Sequence, residues 1–220
     1  LISDAELFGN LKKDRLAMFL EGINTILKIW STEAPYKIKG KYWDVTTENT
    51  LIEDIGQGYM TRPLQRPHPP IIVTAVAPYS KGVSEAAARG WKPISADIIM
   101  PNWVKTHWEK YIEGCKKGKL IPSKDDWRIA KTIFVAEDLK KAKEYALGPN
   151  SPYVFYFKQL FKKFVALGKL ELFKSSLNQP DSEITLEKVC EELIIWGTPE
   201  KVFDDISSFR DKVGDLGMLM

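Results

Sequence analysis

Cysteine and histidine are scarce in this chain, whose 220 residues contain two of each. Cys115 and Cys190 lie far apart, and His68 and His107 are the only imidazoles, so no metal-ligand spacing exists and no metal site is expected. The cysteines read as free thiols of a reducing cytoplasm, the expected location. Long apolar runs are lacking too: none reaches the length needed to cross a bilayer, and no signal-peptide pattern opens the sequence, so no membrane partner is expected. An excess of one charge is also missing. Lys and Arg number 32 against 29 Asp and Glu, a net charge of +3 with both signs mixed along the chain, which is too little to argue for nucleic acid. Lys116-Lys117-Gly118-Lys119 and Lys162-Lys163 read as solvated helix faces. No internal repeat or low-complexity tract is visible. A composition of 44% hydrophobic and 28% charged residues is ordinary for a globular protein.

The most informative stretch that is present runs from Pro69 to Trp91. Ile71, Ile72 and Val73 form a β-branched run too short for a helix, preceded by prolines that do not belong inside a central strand. Pro78, Ser80 and Gly82 punctuate a turn, Ser80 or Ser84 can cap, and Glu85-Ala86-Ala87-Ala88-Arg89 is strongly helix-forming until Gly90 stops it. A strand that turns directly into a helix start presents backbone N–H groups and a positive dipole end, which suits a phosphate. Every strand–helix unit has such an end, so the pattern alone permits a plain connection as well.

Elsewhere, Ser3-Asp4-Ala5-Glu6 reads as a capping box with Ser3 as N-cap. An amphipathic helix over about Lys13 to Trp30 follows. Tyr36 to Val45 alternates as a small hairpin turning at Gly40, and Thr46 to Pro70 reads as an extended excursion with little regular structure. Then strands and helices alternate: strand 71–76, helix 80–89, a strand near Lys92 to Ile98, a helix from about Trp103 to Lys117, and a strand from Trp127 to Ala136. A helix begins near Leu139, an aromatic helix spans Tyr153 to Leu167, a softer segment spans Leu170 to Ser182, and a last helix spans about Pro199 to Val213. Such alternation implies a parallel sheet with ligands at the carboxyl ends of its strands. Trp103, Trp108 and Tyr111 read as helix-packing residues, and the aromatics between Tyr153 and Phe164 as either packing or a lid. His68, between prolines, reads as a hydrogen-bonded loop residue, and His107 as a structural one. With Leu at position 1 and an apolar end, Leu216 to Met220, resembling the start of a buried strand, the sequence reads as a fragment: one domain over 1–220, with a hairpin excursion at 31–66.

Ordered landmarks carry a resemblance over nearly the whole chain. Ser3-Asp4-Ala5-Glu6-Leu7-Phe8-Gly9, Ile29-Trp30, Gly40-Lys41-Tyr42-Trp43 and Pro63 to Ile71 come first. Ala86-Ala87-Ala88-Arg89-Gly90, Asp126-Trp127-Arg128, Trp196-Gly197-Thr198-Pro199-Glu200 and Val213-Gly214-Asp215-Leu216-Gly217 follow. Together they resemble the bacterial luciferase-like flavin-dependent monooxygenases. The resemblance implies an α/β fold, a luciferase-like (β/α)8 TIM barrel that is incomplete here, with strands five to eight, their helices and the hairpin excursion. It implies reduced FMN as cofactor, with FAD or a deazaflavin as alternatives, and molecular oxygen and a small apolar organic substrate as reactants. A separate flavin reductase and a homo-oligomer are the implied partners. Carried over from the family, the cofactor-binding segment is Thr74, Ala75, Val76, Ala77, Tyr79, Ser80, Lys81, Gly82 and Val83, with Thr74 to Val76 beside the ring and the turn around the phosphate. Backbone N–H groups of Tyr79 to Gly82 and the Ser80 hydroxyl are the expected donors, Lys81 adds a charge, and Gly82 permits close approach. Neither histidine matches the family's catalytic one, so no catalytic residue is named. A non-catalytic flavin-binding or dimer-forming relative, or a deazaflavin-dependent oxidoreductase, is the alternative reading.

Overall fold

A computed structural model describes residues 2–220. Contacts divide the chain into two compact units, residues 1–69 and 70–220.

In the first unit, α1 (Ile2–Leu7) and α2 (Arg15–Ser31) precede a hairpin of β1 (Lys37–Ile38) and β2 (Val45–Thr46) and a 3-10 turn at Glu53–Ile55. The expected capping box does not form. The helix already begins at Ile2, and the Ser3 hydroxyl donates to the Asp4 carboxylate at 3.3 Å. α2 starts instead on a genuine cap, Asp14, whose carboxylate accepts from the Ala17 N–H at 3.0 Å. The hairpin turns where expected, with Lys37 opposite Thr46. Its turn is clasped by Glu21 of α2, whose carboxylate accepts from the N–H groups of Lys41 (3.1 Å), Tyr42 (2.7 Å) and Trp43 (2.9 Å). These bonds, Tyr42's foremost, hold the Glu21 carboxyl below its ordinary value. Gly40 is required here because a Cβ would collide with that carboxylate and with the Trp43 carbonyl. His68 behaves as a loop residue, Nδ1 donating to the Pro69 carbonyl at 2.7 Å.

The second unit is built on parallel strands. β3 (Ile72–Ala75), α3 (Lys81–Ala87), β4 (Lys92–Ser95), α4 (Pro101–Lys117) and β5 (Arg128–Ile129) lead to β6 (Thr132–Val135), α5 (Leu139–Leu147) and α6 (Pro152–Ala166). α7 (Leu186–Leu193), β7 (Ile194–Gly197), α8 (Pro199–Val213) and β8 (Met218–Leu219) complete it. Four strands form one sheet in the order β3-β4-β5-β8, all parallel, with Ala75 opposite Ser95, Ser95 opposite Ile129 and Ile129 opposite Leu219. β6 and β7 form a separate parallel pair, Thr132 opposite Ile194.

Three expectations change. The strand expected to run to Ile98 ends at Ser95, because the turn leading to the Met100–Pro101 helix start begins there. The strand expected over 127–136 is broken at Ala130–Lys131. There the Ala130 N–H donates to the Ser95 carbonyl (2.8 Å) and the Lys131 N–H to the Met220 carbonyl (2.8 Å), after which the chain pairs with β7 instead. α7 and β7 were not anticipated at all. Three apolar residues, Ile194, Ile195 and Trp196, follow directly on a charged amphipathic helix, with no turn residue between to mark the change.

The four-stranded sheet is two-faced. Ala75, Pro93, Ser95, Trp127 and Ile129 are buried beneath α3, α4 and α8, whereas Ile72, Thr74, Val76 and Met218 on the opposite face are exposed. Period-two alternation accounts for the split. On the covered side α3 lies against α4 so closely that a Cβ on Gly114 would collide with the Ser84 carbonyl, and one on Gly118 with that of Ala88. A polar cluster rims this contact: Glu113 takes bonds from Lys110, Lys117 and Ser84, which together hold its carboxyl down to about 2. A second core lies beneath α5, α6 and α7. Phe157 is fully buried there, and Phe161 and Phe164 pack on Phe173. Most of the aromatic helix is therefore packing, with Phe155 and Tyr156 left exposed. Both cysteines are free and buried. No helix among the described residues is long and apolar enough to cross a membrane.

Replacing Gly114 with leucine is expected to force α3 off α4 and to cost roughly 3 kcal/mol through overpacking. Urea unfolding followed by tryptophan fluorescence measures it, and an unchanged midpoint would contradict the close helix contact.

Candidate functional site

β3 ends and α3 begins within a few residues, and that turn carries the segment singled out in the sequence. Thr74 and Ala75 close the strand, Val76 to Ser80 form the turn, and Lys81, Gly82 and Val83 open the helix. The side chains do not all face one way. Thr74, Val76, Tyr79, Lys81 and Gly82 are exposed, while Ala75 and Val83 are buried in a cluster with Ala87, Tyr111 and Cys115. Ala75 therefore packs beneath the helices rather than on the open side with Thr74 and Val76, and its side chain cannot share a ligand ring with theirs.

The expected donor set also narrows. The Tyr79 N–H is taken, donating to Thr106 Oγ1 at 3.1 Å, and the Val83 N–H donates to the Ser80 carbonyl at 3.1 Å. Ser80 occupies the N-cap position, yet its hydroxyl makes no capping bond. The N–H groups of Ser80, Lys81 and Gly82 stand at the start of the helix, where backbone donors have no intrahelical partner. A Cβ built on Gly82 would meet only Ser80 Oγ at 3.5 Å, so the space in front of these donors is open. No carboxylate occurs from Thr74 to Val83, and Lys81 supplies a cation. An uncapped hydroxyl, helix-start amides, one lysine and open room at a glycine are the chemistry a phosphate dianion requires.

α4 holds this turn in place through two adjacent residues. Thr106 accepts from Tyr79 and donates onward to the Trp103 carbonyl at 2.5 Å. The fully buried His107 lies 2.8 Å from the Ala77 carbonyl through Nε2 and 2.8 Å from Ser95 Oγ through Nδ1. Trp127 Nε1 donates to the same Ser95 oxygen at 3.0 Å. A carbonyl only accepts, so Nε2 carries the proton, Nδ1 accepts from the Ser95 hydroxyl, and Ser95 Oγ accepts from Trp127. The chain closes with every member satisfied and the imidazole neutral. Burial pushes the His107 pKa below 6.5, opposed by the Ala77 contact. Tyr79 adopts φ +51, a left-handed conformation, and its ring meets Trp103 edge-on at 6.0 Å.

Sequence reasoning found the turn and treated His107 as structural. It missed that Ser95, Thr106 and Trp127 complete the bracing. The available signal was Ser95, a hydroxyl on the buried face of a strand, where it must find partners.

Parallel strands linked by helices, with a phosphate-compatible turn at a strand's carboxyl end, give a luciferase-like α/β fold. The family model described as luciferase-like monooxygenase matches residues 3–216, and the chain belongs to that family. The 3,6-diketocamphane 1,6-monooxygenase of Pseudomonas putida is 25% identical over 217 residues, covering 96% of this chain and 56% of that protein. The solved oxygenating constituent of 3,6-diketocamphane monooxygenase from P. putida, a type II Baeyer–Villiger monooxygenase in complex with FMN, superposes with a TM-score of 0.80. It is 22% identical, over 100% of this chain and 61% of its own. An F420-dependent secondary alcohol dehydrogenase in complex with an F420–acetone adduct reaches 0.61 at 18% identity, over 93% of this chain and 55% of its own. The chain thus spans a little over half the length of the curated relatives it matches.

The folded chain resists protonation of His107, whereas the unfolded chain takes up a proton near 6.5. Stability is therefore lost as pH falls below 6.5, at up to about 1.4 kcal/mol per pH unit. His107→Gln is expected to remove this component, measured as a flatter dependence of the urea midpoint on pH. An identical slope in the two proteins would contradict the buried neutral imidazole.

Proposed function

We propose that this chain is part of a flavin-dependent monooxygenase in which reduced FMN and molecular oxygen act on a small apolar organic substrate. One observation carries the reading: the turn from Thr74 to Val83 offers the Ser80 hydroxyl, three helix-start amides and Lys81 with open room at Gly82. Family membership and the FMN bound in the solved relative support the same choice of cofactor. The diketocamphane relatives favour a carbonyl-bearing, camphor-like substrate.

In this reading Ser80, Lys81 and Gly82 hold the phosphate, while Thr74 and Val76 face the ring from the open side of the sheet. Thr106 and His107 fix where the donors point. The bound flavin supplies the oxygen-activating chemistry, and the protein contributes orientation and a dry pocket. The exposed face of β3, β4, β5 and β8 is then the inner wall of a (β/α)8 barrel, with this chain giving strands five to eight. That open face carries Ile72, Thr74, Ile94 and Met218 together with Lys92 and Arg128. A separate reductase delivers the reduced flavin, and the assembled protein is a homo-oligomer.

A deazaflavin-dependent hydride transfer is the second reading, favoured by the fold shared with the F420-dependent dehydrogenase. Titrating the full-length protein with FMN and with a deazaflavin, followed by flavin fluorescence, separates the two. FMN is expected to bind the more tightly, and a preference for the deazaflavin would overturn the monooxygenase assignment. Gly82→Trp fills the open room and is expected to weaken FMN at least about tenfold, or 1.4 kcal/mol. Parent-like affinity in that variant would rule out this turn as the phosphate site.

A further inference from the structure

Lys131 interrupts the buried alternation of its strand. Trp127, Ile129 and Lys131 point to the same, helix-covered side of the sheet, and Lys131 keeps only 8% of its surface exposed. Its backbone is fixed at the strand break by the 2.8 Å bond to the Met220 carbonyl, so the side chain is committed to this direction. Among the described residues no carboxylate pairs with Nζ and no group accepts a hydrogen bond from it, and the Nζ atom itself is left accessible rather than sealed in the core. Its one close neighbour of note is the Phe209 ring, with the centroid at 4.8 Å. Asp97 and Glu192 influence it only through space.

That side chain opens onto a cavity of about 680 Å³ whose walls include Met100, Phe173, Val189 and Phe209. The volume is of the size that holds small organic ligands. Lys201 also lines it but is already neutralised, with Nζ 2.6 Å from Asp205 and 2.8 Å from the Trp196 carbonyl. Lys188 and Lys212 are solvated at the mouth. Lys131 is therefore the one buried cation of the cavity without a counter-charge among the described residues. An ammonium in such a setting is costly unless an anion joins it. Burial pushes its pKa down to about 8, which leaves it protonated at neutral pH. Glu183, Glu191 and Glu192 at the exposed edge would repel a polyanion such as a nucleotide.

We propose that this cavity is a binding site for a small organic monocarboxylate, whose head group pairs with Lys131 Nζ while its apolar body lies on Phe173, Val189 and Phe209. The site lies on the helix-covered side of the sheet, away from the flavin turn, and the inference stands independently of the proposed cofactor.

Benzoate is the probe, with benzamide as its uncharged counterpart. Reductive methylation of the unmutated protein, quantified at Lys131 by peptide mass mapping, is expected to slow at least about fivefold with millimolar benzoate, as when the ligand stands about fourfold above its dissociation constant, and not with benzamide. Calorimetric titration is expected to show benzoate binding that Lys131→Met weakens at least about tenfold and Lys131→Arg largely preserves. Equal methylation with and without benzoate, equal protection by benzamide, or parent-like affinity in Lys131→Met would each overturn the proposal. An FMN titration run alongside is expected to be unaffected by benzoate. A shared site would show as competition and would also overturn it.

Discussion

The hydrogen-bond chain from Trp127 through Ser95 and His107 to the Ala77 carbonyl is the constraint on which the geometry of the turn depends. Each bond is forced by the chemistry of its members: a donor-only indole, a hydroxyl that must both accept and donate, an imidazole with one proton and a carbonyl that only accepts. Because Trp127, Ser95 and His107 are fully buried, breaking a link among them would strand a polar group away from water. Thr106, next to His107 on α4, adds a parallel tie to the Tyr79 amide. The direction in which the start of α3 aims its donors is thus decided by a different helix and by two strands.

That bracing needs α3 and α4 held at close range, and Gly114 within α4 and Gly118 at its C-cap make it possible. Gly114 and Gly118 leave no side chain between the helices, so the Ser84 and Ala88 carbonyls come directly against the α4 backbone. Around this dry contact the Glu113 cluster satisfies Ser84 and two lysines. Packing and polar satisfaction reinforce each other on one side of the sheet, and the other side stays bare.

What could be read from the sequence follows from how local each signal is. The β3 turn was legible because β-branched residues, prolines and an alanine run succeed one another within about twenty positions, and α8 because Thr198-Pro199 marks its start. The hairpin at Gly40 was legible from alternation, but the reason for its glycine was not: Glu21 lies nineteen positions away on α2. The break at Ala130–Lys131 was invisible, since it arises from a change of partner strands and not from any turn residue. Ala75 and Val83 entered the ligand segment as what the family resemblance implies, and only the fold shows their side chains turned inward. The bracing residues escaped notice for the same reason, as Ser95, Thr106 and Trp127 meet only once the strands are in register.

The split of one run of chain between two ladders has a further meaning. β5 is pinned to β4 and β8, whereas β6 is pinned to β7, and the 132–197 stretch gathers an apolar interior around Phe157 that Ile98 and Met100 also enter. The four-stranded register closes through residues 128–129 and 218–219, with Phe209 and Val213 of α8 packed against Trp127 and Ile129. The two ladders nevertheless communicate through α4. Trp103, whose carbonyl takes the Thr106 hydroxyl that braces the β3 turn, donates its indole N–H to the Lys174 carbonyl at 2.6 Å, so a change in the 132–197 stretch is felt at the turn.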